Sequence, residues 1–453
     1  MQTSQTIALG KDVFKQTRPM VFGILFLMSF QLADSTFISQ LGVLPLAAQG
    51  FTLPLQMVII GLQVGLGIAT TAIISRILGQ KEEQKARQIG GLVMVMGAVG
   101  VFVIALIIWL TRHQILMLLG APAQVIPYIN QYWPTWLFSA WLGAILYFAY
   151  SICRSNQNTF LPGILMMITS IINLILDPIF IFYFDLGLVG AAIATIFSFS
   201  IGLLIILPKL VSNHWLSFNW DSLPIWRSIK ELNAVMTPAM MSQLLPPLSS
   251  VFATKIVAAF GTAAVAGWAM VARIEFFTIV VVLALTMSLP PMIGRLFGAK
   301  DCPTIIRIVK GAVLFTVVLQ TILAFVLFIF AAPLASFFST NEQVVAVIYQ
   351  YLILVPISLS SLGVCMLMVS ICNALGMPMR ALLISTLRLF LCYLPLVWIA
   401  SRIWQLEGVF IGAMLGNILA GLMAWSLYYH AIKKIAINST AIDQPLPAER
   451  KLT

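Results

Sequence analysis

Ile-Ser-Arg-Ile-Leu-Gly-Gln-Lys at residues 74–81 recurs in the second half of the chain as Ile-Gly-Arg-Leu-Phe-Gly-Ala-Lys at residues 293–300. The same offset places Pro19 on Pro238, and Ser-Ile-Cys at residues 151–153 on Ser-Ile-Cys at residues 370–372. A constant offset across separate segments is the mark of a duplicated unit, and repeated halves are a common feature of membrane transporters. We therefore predict a chain of two related halves.

The composition assigns both halves to a lipid bilayer. The chain has 453 residues, of which 61% are hydrophobic and only 9% are charged, against about 25% charged residues in an average soluble domain. Apolar runs such as residues 91–110 and 312–332 are long enough to cross a bilayer as helices. A membrane β-barrel is excluded, because its strands alternate apolar and polar residues. The fold class is therefore predicted to be all-α and polytopic, with twelve transmembrane helices near residues 15–39, 44–74, 89–110, 126–153, 159–183, 187–207, 232–260, 263–292, 304–331, 344–372, 378–400 and 407–430.

The distribution of positive charge predicts the orientation. With both termini in the cytoplasm, twenty of the 25 Lys and Arg residues fall in inner segments and only two in outer ones. This bias obeys the positive-inside rule and accounts for the net charge of +11 without a nucleic-acid partner. The five cysteines show no disulfide or metal spacing. We expect a monomer in the inner membrane of a prokaryote, in contact with lipids.

Four segments follow from the repeat. Residues 1–207 form a first six-helix lobe, residues 208–231 a cytoplasmic linker, residues 232–434 a second six-helix lobe and residues 435–453 a polar cytoplasmic tail. Two parallel six-helix lobes facing each other enclose a central cavity that can open to alternate sides. No phosphate-binding Gly-x-x-x-x-Gly-Lys-Ser/Thr motif and no Ser/His/Asp arrangement occurs. We therefore expect a transporter that is not an enzyme and needs no cofactor beyond a coupling ion.

Three stretches resemble the multidrug and toxic compound extrusion (MATE) family, and the resemblance extends over about residues 10–435. They are residues 74–81 with their copy, Leu-Gly-Ala-Pro at 119–122 followed by Val-Ile-Pro at 125–127, and Asn-Leu-Ile-Leu-Asp-Pro at 173–178. The resemblance implies export of organic, often cationic compounds, driven by inward flow of H⁺ or Na⁺. The NorM-like branch keeps carboxylates in the first and fourth helices of its second half. Residues 232–260 and 344–373 contain no Asp or Glu, so this sequence is more similar to the DinF-like branch.

Only three acidic residues lie well inside the predicted spans, away from their ends: Asp34, Asp177 and Glu275. An acid inside the bilayer is costly and is a functional candidate by default. Asn173 lies four residues before Asp177, on the same helix face. Pro178 has no N–H to donate to the carbonyl group of residue 174, which weakens the helix beside Asp177.

The resemblance carries the cation-coupling site of DinF-like proteins onto Asp34, Asn173, Asp177 and Thr195. Protonation of a buried carboxyl group removes a charge and converts an acceptor into a donor, which suits coupling to H⁺. Two carboxylates, an amide and a hydroxyl can also ligate Na⁺, so the sequence leaves Na⁺ coupling at the same four residues open. A lipid-linked precursor flippase of the wider superfamily is a further alternative. It would favour a strongly cationic cavity, whereas the groups near mid-membrane are three acids and three bases.

Other polar side chains and prolines complete the candidate site. Pro19 and Pro178 are hinge candidates, although a proline can also be a passive kink. Glu275 lies two residues from Arg273, so the two do not share a helix face, and a structural ion pair of Glu275 with Lys255 remains an alternative to a role in the cavity. The candidates for the substrate cavity are Gln31, Tyr132, Tyr150, Arg273 and Glu275, of which Tyr132 and Arg273 are implied by the resemblance.

Overall fold

The computed structural model describes the backbone of residues 2–442 and the side chains of residues 9–434. The backbone is helical up to Ile442, so the last helix passes residue 435, where we placed the start of the polar tail. Residues 443–453 of that predicted tail lie outside the described residues. Within the described range every regular element is helical.

The helices follow one another with short connections. In chain order the α-helices are α1 (Gln2–Gln40), α2 (Val43–Gly50), α3 (Leu53–Gly79), α4 (Glu83–Leu110), α5 (Arg112–Leu118), α6 (Ile126–Ser155), α7 (Phe160–Pro178), α8 (Gly187–Ser212), α9 (Ile225–Ala258), α10 (Thr262–Thr278), α11 (Val280–Gly298), α12 (Cys302–Ile329), α13 (Ala331–Phe338), α14 (Glu342–Leu354), α15 (Leu359–Ala374), α16 (Pro378–Thr386) and α17 (Leu394–Ile442). Two π-helical segments, Ile179–Tyr183 and Leu387–Tyr393, and one 3₁₀ turn, Pro356–Ser358, interrupt the α-helical crossings.

Twelve crossings result from these elements. Ten helical segments of the described residues are long and apolar enough to span a membrane. The last of them, Pro378–Lys434, contains two crossings, because Trp404 and Gln405 break the helix between them. α9 is the twelfth; its three internal prolines and its polar side chains lower its hydropathy. The predicted twelve-helix membrane fold is confirmed.

The two lobes are α1–α8 and α9–α17. Inside the first lobe α1 packs on α7 and α6 on α8, and inside the second α15 packs on α11 and α17. The lobes meet where α3 contacts α9 and α11 and where α1 contacts α11. The seam between the lobes is therefore made by only a few helices, and α1 and α3 supply most of the first lobe's side of it.

The connection between the lobes is shorter than predicted. α8 continues to Ser212 and α9 begins at Ile225, so only residues 213–224 are non-helical, against the predicted linker 208–231. Apolar residues mark where the bilayer ends but not where the helix ends, because helical hydrogen bonds continue into the aqueous region. The connection is packed on α4, where the backbone N–H of Ser217 donates to the carbonyl oxygen of Arg87 at 3.0 Å.

Candidate functional site

A cluster of polar side chains lies inside the first lobe, between α7 and α8. Asn173 and Asp177 project from α7, and Thr195 projects from α8. Asp177 is fully buried and Asn173 is 2% exposed. The side-chain amide of Asn173 lies 2.9 Å from Asp177 Oδ2 on one side and 3.1 Å from Thr195 Oγ1 on the other. The four-residue spacing predicted this shared face, and the fold adds the partner from α8.

The amide of Asn173 has two orientations related by a half-turn, and one of them satisfies the neighbours on both sides. With its nitrogen toward Asp177, the amide donates to the carboxylate and its oxygen accepts from the Thr195 hydroxyl. With its nitrogen toward Thr195, the amide donates to Thr195 Oγ1 at 3.1 Å, and Thr195 Oγ1 donates to the Ala191 carbonyl at 3.0 Å. The first orientation suits an ionised Asp177, whereas the second sets the amide oxygen against the carboxyl group and requires a protonated Asp177 that donates to it.

The backbone widens directly after Asp177. α7 ends at Pro178, and the π-helical turn Ile179–Tyr183 follows. Proline cannot donate the helical hydrogen bond to the residue four positions earlier, and π-helical turns often occur at functional sites. α8 approaches this turn closely, because a Cβ at Gly190 would lie 2.6 Å from the Phe180 carbonyl oxygen. The hinge candidate Pro178 thus coincides with a change in helix type.

Asp34 approaches the cluster from α1. It is half-buried, and its Oδ2 accepts a long hydrogen bond of 3.4 Å from Gln49 Nε2. Among the described side chains no hydrogen bond joins Asp34 to Asn173 or Asp177, but the two carboxyl groups lie close enough to interact electrostatically. Gln49 was not anticipated, because it is one of three glutamines in the apolar segment 44–74 and nothing in the sequence sets it apart from Gln56 and Gln63.

The aromatic candidates of α6 do not lie together. Tyr132 is buried and lies within electrostatic range of both Asp34 and Asp177. Tyr150 is buried eighteen residues later, about 27 Å along the helix axis, where Arg154 is its charged neighbour. The structure thus joins Tyr132 to the carboxyl cluster and separates Tyr150 from it.

The remaining candidates lie on α1 and in the second lobe. Gln31 is exposed on α1, one turn before Asp34, and Arg273 is exposed on α10. Glu275 accepts a hydrogen bond of 2.9 Å from the hydroxyl of Tyr351, a buried residue of α14. Arg388 lies within electrostatic range of Glu275. Glu275 is thus part of a polar contact inside the second lobe.

The hypothesised ion pair of Glu275 with Lys255 is not formed. Ion pairs form instead between residues close in sequence, such as Lys85 with Glu82, Arg87 with Glu83 and Arg227 with Glu231. Lys255 is exposed, and it lines a separate cavity with Trp398 and Arg402. The tyrosine of α14 takes the role of partner because α10 packs on α14.

The two copies of the repeated motif meet at one end of the molecule, which we call the basic end. A Cβ built on Gly79 or on Gly298 would lie 3.0 Å from the Cα of the other glycine. The offset of the repeat places Gly79 on Gly298, so the two glycines occupy equivalent positions in the two lobes. Their close approach requires the missing side chains, and it closes the seam between the lobes at this end.

The arginines of the repeat strengthen this closure. Arg295 Nη1 donates to Gln157 Oε1 of the first lobe at 3.2 Å. The guanidinium group of Arg76 lies directly against Gly376 of the second lobe and over the ring of Phe297, 5.1 Å from its centroid. Gln157 and Gly376 are related by the offset of the repeat, so each arginine contacts the equivalent loop of the opposite lobe. The sequence contained this symmetry, but the contacts themselves were not predicted.

The family model described as MatE matches residues 19–179 and 238–399. The chain belongs to the MATE family. The two matches begin at Pro19 and Pro238, the pair of prolines that the internal repeat superimposes. MATE proteins are integral membrane transporters rather than enzymes, and both parts of that prediction are confirmed. The DinF-like branch stays a prediction.

Similar proteins cover nearly the whole chain. An FAD transporter of Shewanella oneidensis is 30% identical over 428 residues, covering 92% of this chain and 94% of that protein. The multidrug export protein MepA of Staphylococcus saprophyticus is 24% identical and covers 94% of each chain. Among solved structures, the Vibrio cholerae MATE transporter VcmN in its bent form is 56% identical, with a TM-score of 0.94, and covers 96% of this chain and 99% of that one.

Proposed function

We propose that this MATE protein exports organic, often cationic small molecules in exchange for H⁺, by alternating access, with the basic end facing the cytoplasm. The observation that carries the proposal is the buried Asp177–Asn173–Thr195 cluster beside Asp34, in a chain similar to multidrug export proteins. Buried acids in membrane helices commonly form proton relays. The positive-inside distribution of Lys and Arg supports the orientation.

The proton step uses the two orientations of the Asn173 amide. When Asp177 is ionised, the amide nitrogen donates to its carboxylate. When Asp177 takes up a proton, its O–H donates to the amide oxygen, the amide turns and its nitrogen donates to Thr195. The protonation state on α7 thereby changes the hydrogen bond made to α8, with only a half-turn of one side chain.

The substrate step uses Asp34. As a carboxylate it attracts an organic cation near Tyr132, and its protonation removes that attraction and releases the cation. α1 connects this site to the seam, because it contacts both α7 and α11. Its close approach to α7 depends on Gly23 and Gly163, which have no side chains. Pro19 lies at the same contact, since a Cβ on Gly163 would meet the Pro19 carbonyl oxygen. We propose that Pro19 and Pro178 are the points at which α1 and α7 bend.

Alternating access requires the basic end to open and close. The described lobe contacts include the Gly79–Gly298 approach and extend along α3 to Gly61, which packs on Leu244 of α9. α10, by contrast, packs mainly within its own lobe, on α14. These contacts suit a state that is closed toward the cytoplasm and accessible from outside.

Transport by the purified protein in liposomes tests the proposal. A pH gradient, acidic on the outer face, is imposed, and efflux of a fluorescent organic cation is measured for the wild type and for Asp34→Asn. The matched control is Asp185→Asn, an exposed acid in the connection before α8 whose φ of 53° suits asparagine. We expect Asp34→Asn to abolish pH-driven transport and Asp185→Asn to preserve it. Undiminished transport by Asp34→Asn would refute the proposal.

Coupling to Na⁺ at Asp34, Asn173, Asp177 and Thr195 is the alternative that shares these side chains. Its ligands would be carboxylate, amide and hydroxyl oxygens, which hard cations accept. A Na⁺ gradient imposed with the pH clamped on both sides decides between the ions. Transport under that gradient alone would replace H⁺ by Na⁺ in the proposal.

Export of a flavin nucleotide is a second candidate for the substrate. It is favoured by the 30% identity to the FAD transporter of Shewanella oneidensis over 92% of this chain. FAD is an anion, and the exposed Arg273 of α10 supplies a positive charge in the second lobe. Uptake of FAD by inside-out vesicles, compared with uptake of an organic cation, distinguishes the two. Accumulation of lipid-linked wall precursors in a deletion strain, without a drug phenotype, would instead support a flippase.

A further inference from the structure

The cavity that Lys255 and Arg402 line lies on the second lobe, at the end of the molecule opposite the basic end, which we call the outer end. It has a volume of about 650 Å³, and its described lining comes from α9 and α17 alone. α9 runs away from the connection that is packed on α4, and Lys255 lies three residues before its last residue, Ala258. The crossing that leads into α17 starts just after Gly376 at the basic end, and Arg402 lies two residues before its break at Trp404. The cavity is therefore separate from the seam between the lobes and from the carboxyl cluster.

The cavity carries positive charge without a negative partner in its described lining. Lys255 and Arg402 are the ionisable side chains among the described residues that line it, and the others are apolar apart from Ser401. Within the described residues the structure shows no hydrogen bond or ion pair to the ammonium group of Lys255. The guanidinium group of Arg402 lies over the ring of Trp398, 5.7 Å from its centroid, which is a contact with a ring rather than with an acceptor oxygen. Both cations are thus able to bind an anion.

The walls of the cavity are apolar and exposed. Phe252 of α9 is 48% exposed and Trp398 of α17 is 53% exposed, and both line the cavity. Their neighbours Val251 and Ile399 are exposed as well, so the apolar surface extends beyond the cavity. Tryptophan is enriched where a membrane meets water, at the level of the lipid headgroups. The position of Trp398 near the end of a crossing therefore places the two cations at headgroup level.

We propose that this cavity binds an anionic phospholipid of the outer leaflet, with the headgroup phosphate at Lys255 and Arg402 and an acyl chain along Phe252 and Trp398. Ammonium and guanidinium groups form strong, charge-assisted hydrogen bonds to phosphate oxygens. An organic cation is repelled by the same two charges, so the occupant differs from the proposed transport substrate.

The orientation of the protein does not account for these two charges. The positive-inside rule concentrates basic residues at the cytoplasmic end, and the predicted outer segments hold only Arg112 and Arg402. Lys255 adds a third basic group, inside the predicted span 232–260. Two of these three scarce charges line a single cavity, which indicates an anionic ligand there.

Binding is expected to stabilise the second lobe. α9 contains three prolines, Pro238, Pro246 and Pro247, and each lacks the N–H that a helical hydrogen bond requires. α17 is broken at Trp404 and Gln405, just beyond the cavity. A lipid that contacts both helices adds an attachment between them, and a ligand that binds only the folded state raises the stability of that state.

The test uses the full-length protein purified in a neutral detergent, with thermal unfolding as the measurement. Three probes are titrated: dioleoylphosphatidylglycerol, dioleoylphosphatidylcholine and soluble glycerol 3-phosphate. We expect a saturable rise in Tm with phosphatidylglycerol and none with the other two probes. An equal rise with phosphatidylcholine would overturn the requirement for an anionic headgroup. A rise with glycerol 3-phosphate alone, or displacement of phosphatidylglycerol by FAD, would overturn the assignment to a lipid.

Three variants locate the binding. Lys255→Gln and Arg402→Gln should each weaken phosphatidylglycerol binding about fivefold, since a basic residue near an anionic headgroup contributes on that scale. Lys255→Arg keeps the charge and should retain binding. Because Lys255 is exposed, its variants are expected to fold. Unchanged binding in Lys255→Gln and Arg402→Gln would overturn the proposal.

Arg112→Gln is the matched control. Arg112 lies over the ring of Trp109 as Arg402 lies over its tryptophan, but it belongs to α5 of the first lobe and does not line the cavity. It therefore tests the loss of an outer arginine without the loss of the site. We expect phosphatidylglycerol binding by Arg112→Gln to equal that of the wild type. Weakening as large as that in Arg402→Gln would show a general effect of surface charge and would overturn the proposal.

Discussion

Replacing Gly79 by alanine is expected to open the basic end of this transporter. The added Cβ would collide with the Arg295 carbonyl group and lie 3.0 Å from the Cα of Gly298. Both obstacles are backbone atoms of the opposite lobe, so no side-chain rotation relieves them. Overpacking of this kind costs about 1–3 kcal/mol, which shifts the ratio of closed to open states by roughly 5- to 150-fold.

The assay measures the distance between spin labels on the two lobes at the basic end. Gln80 and Ala299 are exposed and adjoin the two glycines, so cysteines placed there accept labels. The five native cysteines are buried in the structure and react slowly in comparison. We expect a short distance in the wild type and a larger fraction of long distances in Gly79→Ala.

Two comparisons make this experiment decisive. Gly298→Ala should have the same effect as Gly79→Ala, because the two glycines are equivalent, and the double variant should be less than additive because the residues are in contact. Gly100→Ala is the control, since a Cβ there meets only Leu62 at 3.8 Å. The reasoning fails if Gly79→Ala keeps the distance distribution of Gly100→Ala.

Two further substitutions test the polar contacts inside the lobes. Asn173→Ala leaves the buried Asp177 without its amide neighbour. This should lower the free energy of unfolding by about 1–3 kcal/mol and flatten the pH dependence of transport. A wild-type pH profile would contradict the amide's role in the proton step. Tyr351→Phe removes the hydrogen bond to Glu275, which should lower the free energy of unfolding by a similar amount, and with it the Tm, while pH-driven efflux continues. Tyr128→Phe, at an exposed site, should change neither the Tm nor efflux. Loss of efflux in Tyr351→Phe would instead place Glu275 in the transport pathway.

The helices were predictable because bilayer thickness and residue type determine them directly. Apolar length located twelve crossings, and the constant offset of the internal repeat divided them into two lobes. The boundaries outside the bilayer were less accurate: α8 runs to Ser212 and the last helix to Ile442. Helix ends in water depend on hydrogen bonding and docking, such as the contact of Ser217 with Arg87, which hydropathy does not describe.

The candidate site was predictable where it depends on a single helix. Asn173 and Asp177 share a face of α7 because they are four residues apart. The same helical geometry separates Tyr132 from Tyr150, although both were grouped in one cavity. Contacts between helices were harder, because they depend on how the helices pack.

Contacts between residues far apart in the sequence were also not predicted. Glu275 pairs with a tyrosine of α14 rather than with Lys255. Gln157 and Gly376 meet arginines of the opposite lobe. The repeat contained a usable signal for this last pair, since the loop positions and the arginines share one offset.

The central claim, that protonation of a carboxyl cluster in the first lobe drives export, is tested most directly by transport under an imposed pH gradient in proteoliposomes. Wild type, Asp34→Asn and the control Asp185→Asn are compared at equal protein content and with verified folding. The account predicts pH-driven efflux for the wild type and for Asp185→Asn, and none for Asp34→Asn. Efflux by Asp34→Asn at the wild-type rate would contradict it.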